Sequence, residues 1–344
     1  MIAENEAQVV DVARAARAGR RMLEIVGGGT RRGVGRPMRS DEVLDVSRLS
    51  GIVDYEPEEL ILTVRPGTAL AEIEDALAAK GQRLGFEPQD WSAMLGTSGT
   101  GTIGGAISVN ANGPAAIRFG RARDHLLGIR AVNGFGEAFK AGGKVVKNVT
   151  GFDIPKLFCG AMGTLGVLTE LTFRVFPKAQ RSLVLARQGV GPDESFALLR
   201  KAWSAPLDAT ALIHARDTAY VRIEGEAEAL AEKKKFLDGW AEVDVIDTGF
   251  VPGRRDIWRL ACKPTDASRV AREIAAPVWY GDWAGAALWI AAEASQAAKL
   301  AALGGECIRG AAPRIVPDAR AELDRRVKAA FDPLNLFNPG RMGV

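Results

Sequence analysis

The sequence predicts an α+β protein built in two parts, and three observations carry that prediction. The chain has 344 residues, more than twice the ~150 residues of an ordinary domain. Glycine is abundant and clustered: of 39 glycines, windows 27–35, 96–120 and 134–166 hold 5, 7 and 8. From about residue 178 glycine thins while Ala, Arg and Glu rise, and strand-like runs alternate with helical ones, the pattern of an antiparallel sheet with helices beside it.

In chain order, Val9, Val12, Ala13 and Ala16 share one helical face, with Gly19 as the stop. Short strands are expected at Met22–Val26, Val43–Val46, Ile52–Tyr55 and Leu60–Val64, the last closed by Pro66-Gly67. Thr68 is placed to cap a helix carrying Leu70, Ile73 and Leu77, ended by Gly81. Leu126–Val132 and Leu165–Val175 read as strands, and Pro177 closes this half. Beyond it, strands are expected at Leu183–Ala186, Ala209–Ile213, Ala219–Ile223 and Val243–Ile246. Helices are expected at Asp193–Trp203, Glu226–Trp240, Ala267–Ala275 and Asp318–Phe331. This sets domains at 1–177 (with parts of about 1–56 and 57–177) and 178–317, followed by a C-terminal segment 318–344.

Bulk chemistry excludes several classes. At 47% hydrophobic and 25% charged residues, the composition is globular, neither disordered, collagenous nor a disulfide scaffold. A net charge of +3 leaves no extended basic face for nucleic acid, and the arginine spots 31–36, 254–255 and 325–326 are short. Cys159, Cys262 and Cys307 form no CxxC pair, so a cluster or structural zinc is not expected; they read as small hydrophobes in a reducing compartment. The N-terminus lacks the apolar core of a secretory signal. The longest uncharged run, Trp91–Ile117, carries 6 glycines and 8 Ser, Thr or Asn residues, which a lipid-facing helix would not; it reads as loop and buried backbone, and no transmembrane segment is expected.

The glycine windows suit backbone that meets an anion, because successive N–H groups in a tight turn form a concave donor site and a Cβ would block it. Gly27-Gly28-Gly29-Thr30 follows a strand, as a pyrophosphate cradle requires, although a plain turn has the same composition. A literal G-x-G-x-x-G stands at Gly99, Gly101 and Gly104, with Asp124 downstream. The Rossmann context is missing: no apolar strand enters it and no amphipathic helix leaves it before Gly113-Pro114. Gly143-Lys144 is followed by Val145, so no Walker A loop is present.

Four segments stand in order: Gly27–Thr30; Thr102-Ile103-Gly104-Gly105-Ala106 running to Asn110-Ala111-Asn112-Gly113; Gly151-Phe152-Asp153-Ile154-Pro155-Lys156-Leu157-Phe158; and Gly163-Thr164-Leu165-Gly166-Val167-Leu168-Thr169. With the closing Asn338-Pro339-Gly340-Arg341, this set resembles the FAD-binding (PCMH-type) domain of the vanillyl-alcohol oxidase / p-cresol methylhydroxylase flavoprotein superfamily. Lys147–Asp153, the Trp283/Trp289 region and the short length are similar to the family of FAD-binding E subunits of bacterial glycolate oxidase, over nearly the whole chain.

The resemblance implies a two-part FAD-binding domain, a smaller α+β cap domain with an antiparallel sheet, and a C-terminal segment returning to the flavin domain. It implies that Gly27, Gly28, Gly29 and Thr30 hold the FAD pyrophosphate. Thr97, Ser98, Gly101, Thr102, Gly104 and Gly105 would wrap the phosphates and the ribityl–flavin junction. Gly163, Thr164, Leu165, Gly166 and Val167 would line the adenine side, and Asn338 and Arg341 would approach the isoalloxazine. It further implies oxidation of a small 2-hydroxy acid, glycolate to glyoxylate, within a complex holding a larger flavoprotein subunit and an iron–sulfur subunit. The location implied is cytoplasmic, or peripheral at the inner membrane through those subunits.

Two departures bear on chemistry. Many superfamily members tether flavin through a histidine of the first loop, where this chain has Thr30; its histidines are His125 and His214, so non-covalent FAD is expected. Larger relatives that oxidise 2-hydroxy acids carry a histidine-rich metal cluster, which two isolated histidines do not supply, so no metal site is expected. His214 reads as a satisfied sheet histidine. Arg259, Lys263 and Arg216 are candidate cations for a substrate carboxylate, though an ordinary ion pair is the default for each, and no catalytic base is identified. Trp258, Trp279, Trp283 and Trp289 suit core packing, a flavin edge or a subunit contact. A non-catalytic or electron-relay flavin subunit, and a stand-alone oxidase or dehydrogenase of another small alcohol or hydroxy acid, are the alternative readings.

Overall fold

A computed structural model describes residues 1–144, 152–310 and 318–343; Lys147–Gly151 of the motif quoted above lie outside the described residues. The chain forms two compact units. The first comprises Met1–Gly113, Gly120–Pro177 and Val316–Val344, the second Pro114–Phe119 and Lys178–Ile315.

In the first unit the helix Glu6–Gly19 begins under Asn5, whose side-chain oxygen accepts the Gln8 N–H at 3.0 Å. It buries Val9, Ala13 and Ala16 as their spacing predicts. The helix ends with Arg20 in the left-handed region (φ 51°), so the turn falls one residue beyond Gly19. Glu6 reaches across to the sheet, where Arg130 holds it with two nitrogens and the Thr169 hydroxyl donates at 2.6 Å. The Arg130 hydrogen bonds therefore hold the Glu6 carboxyl below its usual range. The strands Leu23–Val26 and Glu42–Asp45 pair in parallel. Five strands then form one antiparallel sheet in the spatial order Ile52–Glu56, Ile61–Val64, Val167–Arg174, Leu126–Val132, Ala138–Gly142. Ile61–Val64, an inner strand, is buried on both faces; Thr63 and Thr172, paired in register, satisfy their hydroxyls against each other at 3.1 Å.

Thr68 does not cap the helix Leu70–Ala78. Ala69 is the cap residue, and the Thr68 hydroxyl donates instead to the Arg65 and Gly51 carbonyls while accepting from the Gly51 N–H. A second difference lies in the uncharged run. Residues Ile103–Ser108 form a six-residue helix capped by Thr102, whose oxygen accepts the Gly105 N–H at 3.3 Å. Its glycines hide the helical period because they present no side chain to either face.

The C-terminal helix Asp318–Phe331 matches its predicted span, and the chain beyond it returns to the first unit's core. Leu336 and Phe337 are buried with Leu23, Leu44 and Leu49, and Phe337 bridges Leu23 in parallel. At the turn the buried Lys328 ammonium donates to the carbonyls of Thr164 (2.6 Å) and Phe337 (3.0 Å) and to the Asp332 carboxylate (2.6 Å). The same carboxylate oxygen, Asp332 Oδ2, also accepts the Phe337 N–H at 2.8 Å. Burial lowers the Lys328 pKa while Asp332 opposes that shift.

The second unit carries an eight-stranded antiparallel sheet. Its spatial order is Ala241–Val243, Arg181–Gln188, Thr218–Gly225, Ala211–Ala215, Val278–Asp282, Ala287–Ala292, Asp256–Ala261, Glu306–Arg309. The strand expected at Val243–Ile246 lies earlier, because Val243 is the last residue in register, opposite Val184. Four of these strands have no counterpart in the sequence reading; alanine-rich runs such as Ala287–Ala292, buried throughout, lose the alternation that marks a strand. Helices Pro192–Ser204 and Ala267–Ile274 supply Phe196, Leu199 and Val270 to a core that includes Trp258, Leu260 and Ile290. Trp258 is thus a core residue.

His214 is wholly buried in this unit, with ring contacts to Phe196 and Trp279 at 5.2 Å each. Neither ring nitrogen finds a well-aligned partner, so it is not the satisfied histidine expected from sequence. Burial pushes its pKa down to about 4, with Asp217 and the Thr218 backbone acting against the shift. The unfolded chain, with an ordinary histidine near 6.5, therefore binds the proton first. Stability from this site is complete above pH ~6.5 and is lost as pH falls towards ~4, by about 3 kcal/mol. His214→Leu should flatten that part of the profile; native and variant urea midpoints falling in parallel with pH would refute it.

Candidate functional site

The three glycine windows converge within the first unit on one cleft of about 870 Å³, open to solvent. Its floor is the loop leaving the strand Leu23–Val26. That loop crosses the segment before the helix Ile103–Ser108 so tightly that a Cβ on Gly28 would lie 1.8 Å from the Thr100 carbonyl oxygen. One on Gly27 would meet Thr102 Oγ1 at 2.8 Å. Glycine is required at Gly28 by the approach of another backbone, and a side chain at Gly27 would displace the Thr102 hydroxyl. The Thr97 hydroxyl donates to the Thr30 carbonyl at 2.7 Å and latches the crossing. Gly104 N–H donates to the Pro66 carbonyl at 2.9 Å, seating the short helix against the turn after strand Ile61–Val64.

The opposite wall is Ala161–Gly163, Gly166 and Val167. Met162 has φ 51° and its N–H donates to the Ser108 carbonyl at 2.7 Å. Gly163 has φ 69°, and a Cβ there would sit 2.6 Å from Asn338 Nδ2. Asn338 is buried and joins both walls: its Oδ1 accepts the Ile25 N–H at 2.9 Å and its Nδ2 donates to the Met162 carbonyl at 2.7 Å. Non-glycine residues at positive φ cost energy and gather where function demands them; Met162 and Asn338 do so here.

Electrostatically the cleft is positive. Arg31, Arg32 and Arg341 line it. Arg32 forms a two-point pair with Glu24. Arg341 Nε donates to the Val34 carbonyl at 3.0 Å, a terminal nitrogen donates to the Arg32 carbonyl, and Nη1 lies 3.9 Å from Glu24. Arg31 is 6% exposed and ion-pairs with no carboxylate among the described residues. It donates to the Gln89 carbonyl at 2.7 Å and weakly to Thr30 Oγ1 at 3.4 Å, and lies over the Trp91 ring at 5.8 Å. Burial lowers its pKa, with the Asp90 charge opposing.

Of the residues singled out from sequence, Gly27–Thr30, Thr102, Gly104, Gly105, Gly163, Gly166, Val167, Asn338 and Arg341 line this cleft. Thr97, Ser98, Gly101, Thr164 and Leu165 do not; Thr164 is buried, its hydroxyl donating to the Ala161 carbonyl at 2.7 Å. Arg31 and Arg32 escaped the sequence reading, although they directly follow the first loop. The candidate cations lie in the second unit. Arg259 pairs with Glu306 at 2.6 Å and stands over Trp289. Arg216 pairs with Asp247 at 3.6 Å, and Lys263 is exposed. Cys159 is buried and its thiol is pushed up to about 12, an inert core group. No group of three metal-ligating side chains occurs among the described residues, and no described helix is long and apolar enough to cross a membrane.

Comparison with known proteins supplies the remaining observations. A family pattern described as an FAD binding domain matches residues 1–142. Glycolate oxidase subunit GlcE of Escherichia coli (strain K12) is 32% identical over 336 residues, covering 93% of this chain and 92% of that protein. Glycolate oxidase subunit GlcD of Bacillus subtilis (strain 168) is 34% identical over 149 residues, 43% of this chain and 30% of GlcD. Among solved structures, an alkyldihydroxyacetonephosphate synthase aligns with 98% of this chain and 75% of its own at a TM-score of 0.68 and 14% identity, a likeness of fold.

Proposed function

The chain belongs to the FAD-binding family of glycolate oxidase subunit GlcE, and from that premise we propose that it is an FAD-dependent oxidoreductase subunit acting in the conversion of glycolate to glyoxylate. The observation that carries this reading is similarity along nearly the full length of both chains, joined to a cleft floored by crossed glycine loops. The cleft fits the cofactor in its chemistry: its walls offer glycine backbone and cations to a diphosphate. FAD, when bound, accepts a hydride from a CH–OH carbon and passes electrons onward.

The protein's part is to hold and orient. Backbone N–H groups of Gly27–Thr30 would bind the diphosphate, with Thr102, Gly104 and Gly105 continuing that wall. Gly163, Gly166 and Val167 would line the far side, and Asn338 and Arg341 close the cleft from the returning segment. Thr97 acts through the Thr30 carbonyl, and Thr164 and Leu165 act from behind the wall, as positioning residues.

The flavin is held without a covalent bond, since Thr30 offers a hydroxyl where a nucleophilic imidazole would be needed. In denaturant, gel filtration should separate yellow colour from the chain; co-elution would refute this. The chain assembles with a larger flavoprotein subunit of the GlcD kind and an iron–sulfur subunit that takes the electrons, in the cytoplasm or at the membrane surface. Co-purification from the native host tests that assembly.

A second reading, in which this flavin relays electrons without meeting substrate, is favoured by the ion pairs that engage Arg259 and Arg216. Anaerobic addition of glycolate to the isolated, FAD-loaded chain separates the two. Rapid bleaching supports substrate oxidation here, and an unbleached flavin supports relay.

A further inference from the structure

We infer that Arg31 is the side chain that neutralises the FAD diphosphate and makes the cleft selective for a phosphate-bearing flavin; this rests on the FAD reading above. Three arginines line the cleft, and the carboxylate of Glu24 serves two of them. Arg31 is left with five N–H donors of which two have acceptors, one of them only at 3.4 Å, and its Nε finds none. A guanidinium 6% exposed with no carboxylate in ion-pair contact among the described residues, and only the more distant charge of Asp90 acting on it, is costly, because the protein interior replaces little of its hydration. Proteins keep such a group where an anion repays the cost.

Position identifies the anion. Arg31 directly follows Thr30 in the first glycine loop, and its Nη1 lies 3.3 Å from where a Gly101 Cβ would be, so its head stands beside the crossing of the two loops. The backbone of that loop and Arg31, which directly follows it, line the same cleft. Of the groups FAD carries, only the diphosphate is anionic, and Arg meets such oxygens with strong, charge-assisted hydrogen bonds. Lysine or methionine of similar length lacks that planar fork or the charge.

The test uses the full chain, stripped of flavin and titrated with FAD and with riboflavin, which has no phosphate. Arg31→Met should weaken FAD about 30- to 100-fold and leave riboflavin within a few fold. Arg31→Lys should retain most of the FAD affinity. The flavin-free Arg31→Met chain should melt at or above the native temperature, because a buried charge with no carboxylate in contact has been removed. Four results overturn the inference: unchanged FAD affinity in Arg31→Met, equal losses for FAD and riboflavin, equal losses in the Lys and Met variants, or a flavin-free Met variant that fails to fold. Native chain that binds neither flavin defeats the FAD reading itself, a separate outcome.

Discussion

Gly28→Ala should purify almost free of flavin while the rest of the chain remains folded. The new methyl would lie 1.8 Å from the Thr100 carbonyl oxygen and 3.2 Å from Thr102 Cγ2. Backbone cannot yield at that distance as a flexible side chain could, so the crossing of residues 27–30 and 99–102 must open. The Thr97–Thr30 latch and the donors of both loops move apart with it. Gly29→Ala is the matched control: nothing stands within 4 Å of its Cβ, but φ is 76°, so it costs strain without collision. That strain is about 1–2 kcal/mol, enough to weaken flavin binding roughly tenfold rather than abolish it. The ratio of flavin to protein absorbance measures both; a fully loaded Gly28→Ala protein would show that the crossed loops do not form the cofactor floor.

Lys328→Ala should destabilise the first unit by about 3–5 kcal/mol, the largest stability effect expected in the chain. Lys328 and Asp332 are 8% and 1% exposed, and the ammonium satisfies two carbonyls besides the carboxylate. Removing it leaves the buried Asp332 side chain without its cation and frees the Thr164 and Phe337 carbonyls. Those groups belong to the wall containing Gly163 and to the return segment containing Asn338, so flavin retention should fall with stability. Lys328→Met combined with Asp332→Asn removes both charges and retains an acceptor for the Phe337 N–H, and should recover part of the loss. Denaturant midpoints read the effect; an unchanged midpoint in Lys328→Ala would mean that the pair contributes nothing to the fold.

Much of this was legible in one dimension because its causes are local. Val9, Ala13 and Ala16 have helical spacing, and their helix ends within a residue of Gly19. The C-terminal helix has its predicted span. The glycine windows read as backbone that something approaches closely because glycine is the residue that tolerates it, and Gly27 and Gly28 are so placed. What escaped was set by partners distant in sequence. Thr68 has the chemistry of a cap, but Gly51, 17 residues away, claims its hydroxyl. His214 looked like any sheet histidine until Phe196 and Trp279 enclosed it. Arg31 resembled its neighbours Arg32 and Arg36, and only the position of Glu24 separates a paired arginine from an unpaired one. Thr97 and Thr164 were assigned to cofactor contact on motif alone; the folded chain turns their hydroxyls to its own carbonyls.

By itself, then, the sequence determined the two-part α+β plan, the helices with clear apolar periods, and the backbone segments that must be glycine. Those follow from side-chain size and spacing, which are properties of neighbouring residues. Tertiary structure alone decided that three glycine windows share one cleft, that Asn338 ties residues 25 and 162 together across it, and that one arginine of three has no carboxylate within ion-pair distance among the described residues. Hydrogen bonding and charge pairing depend on distance in space, and the chain brings residues more than 300 positions apart to within 3 Å at Ile25 and Asn338.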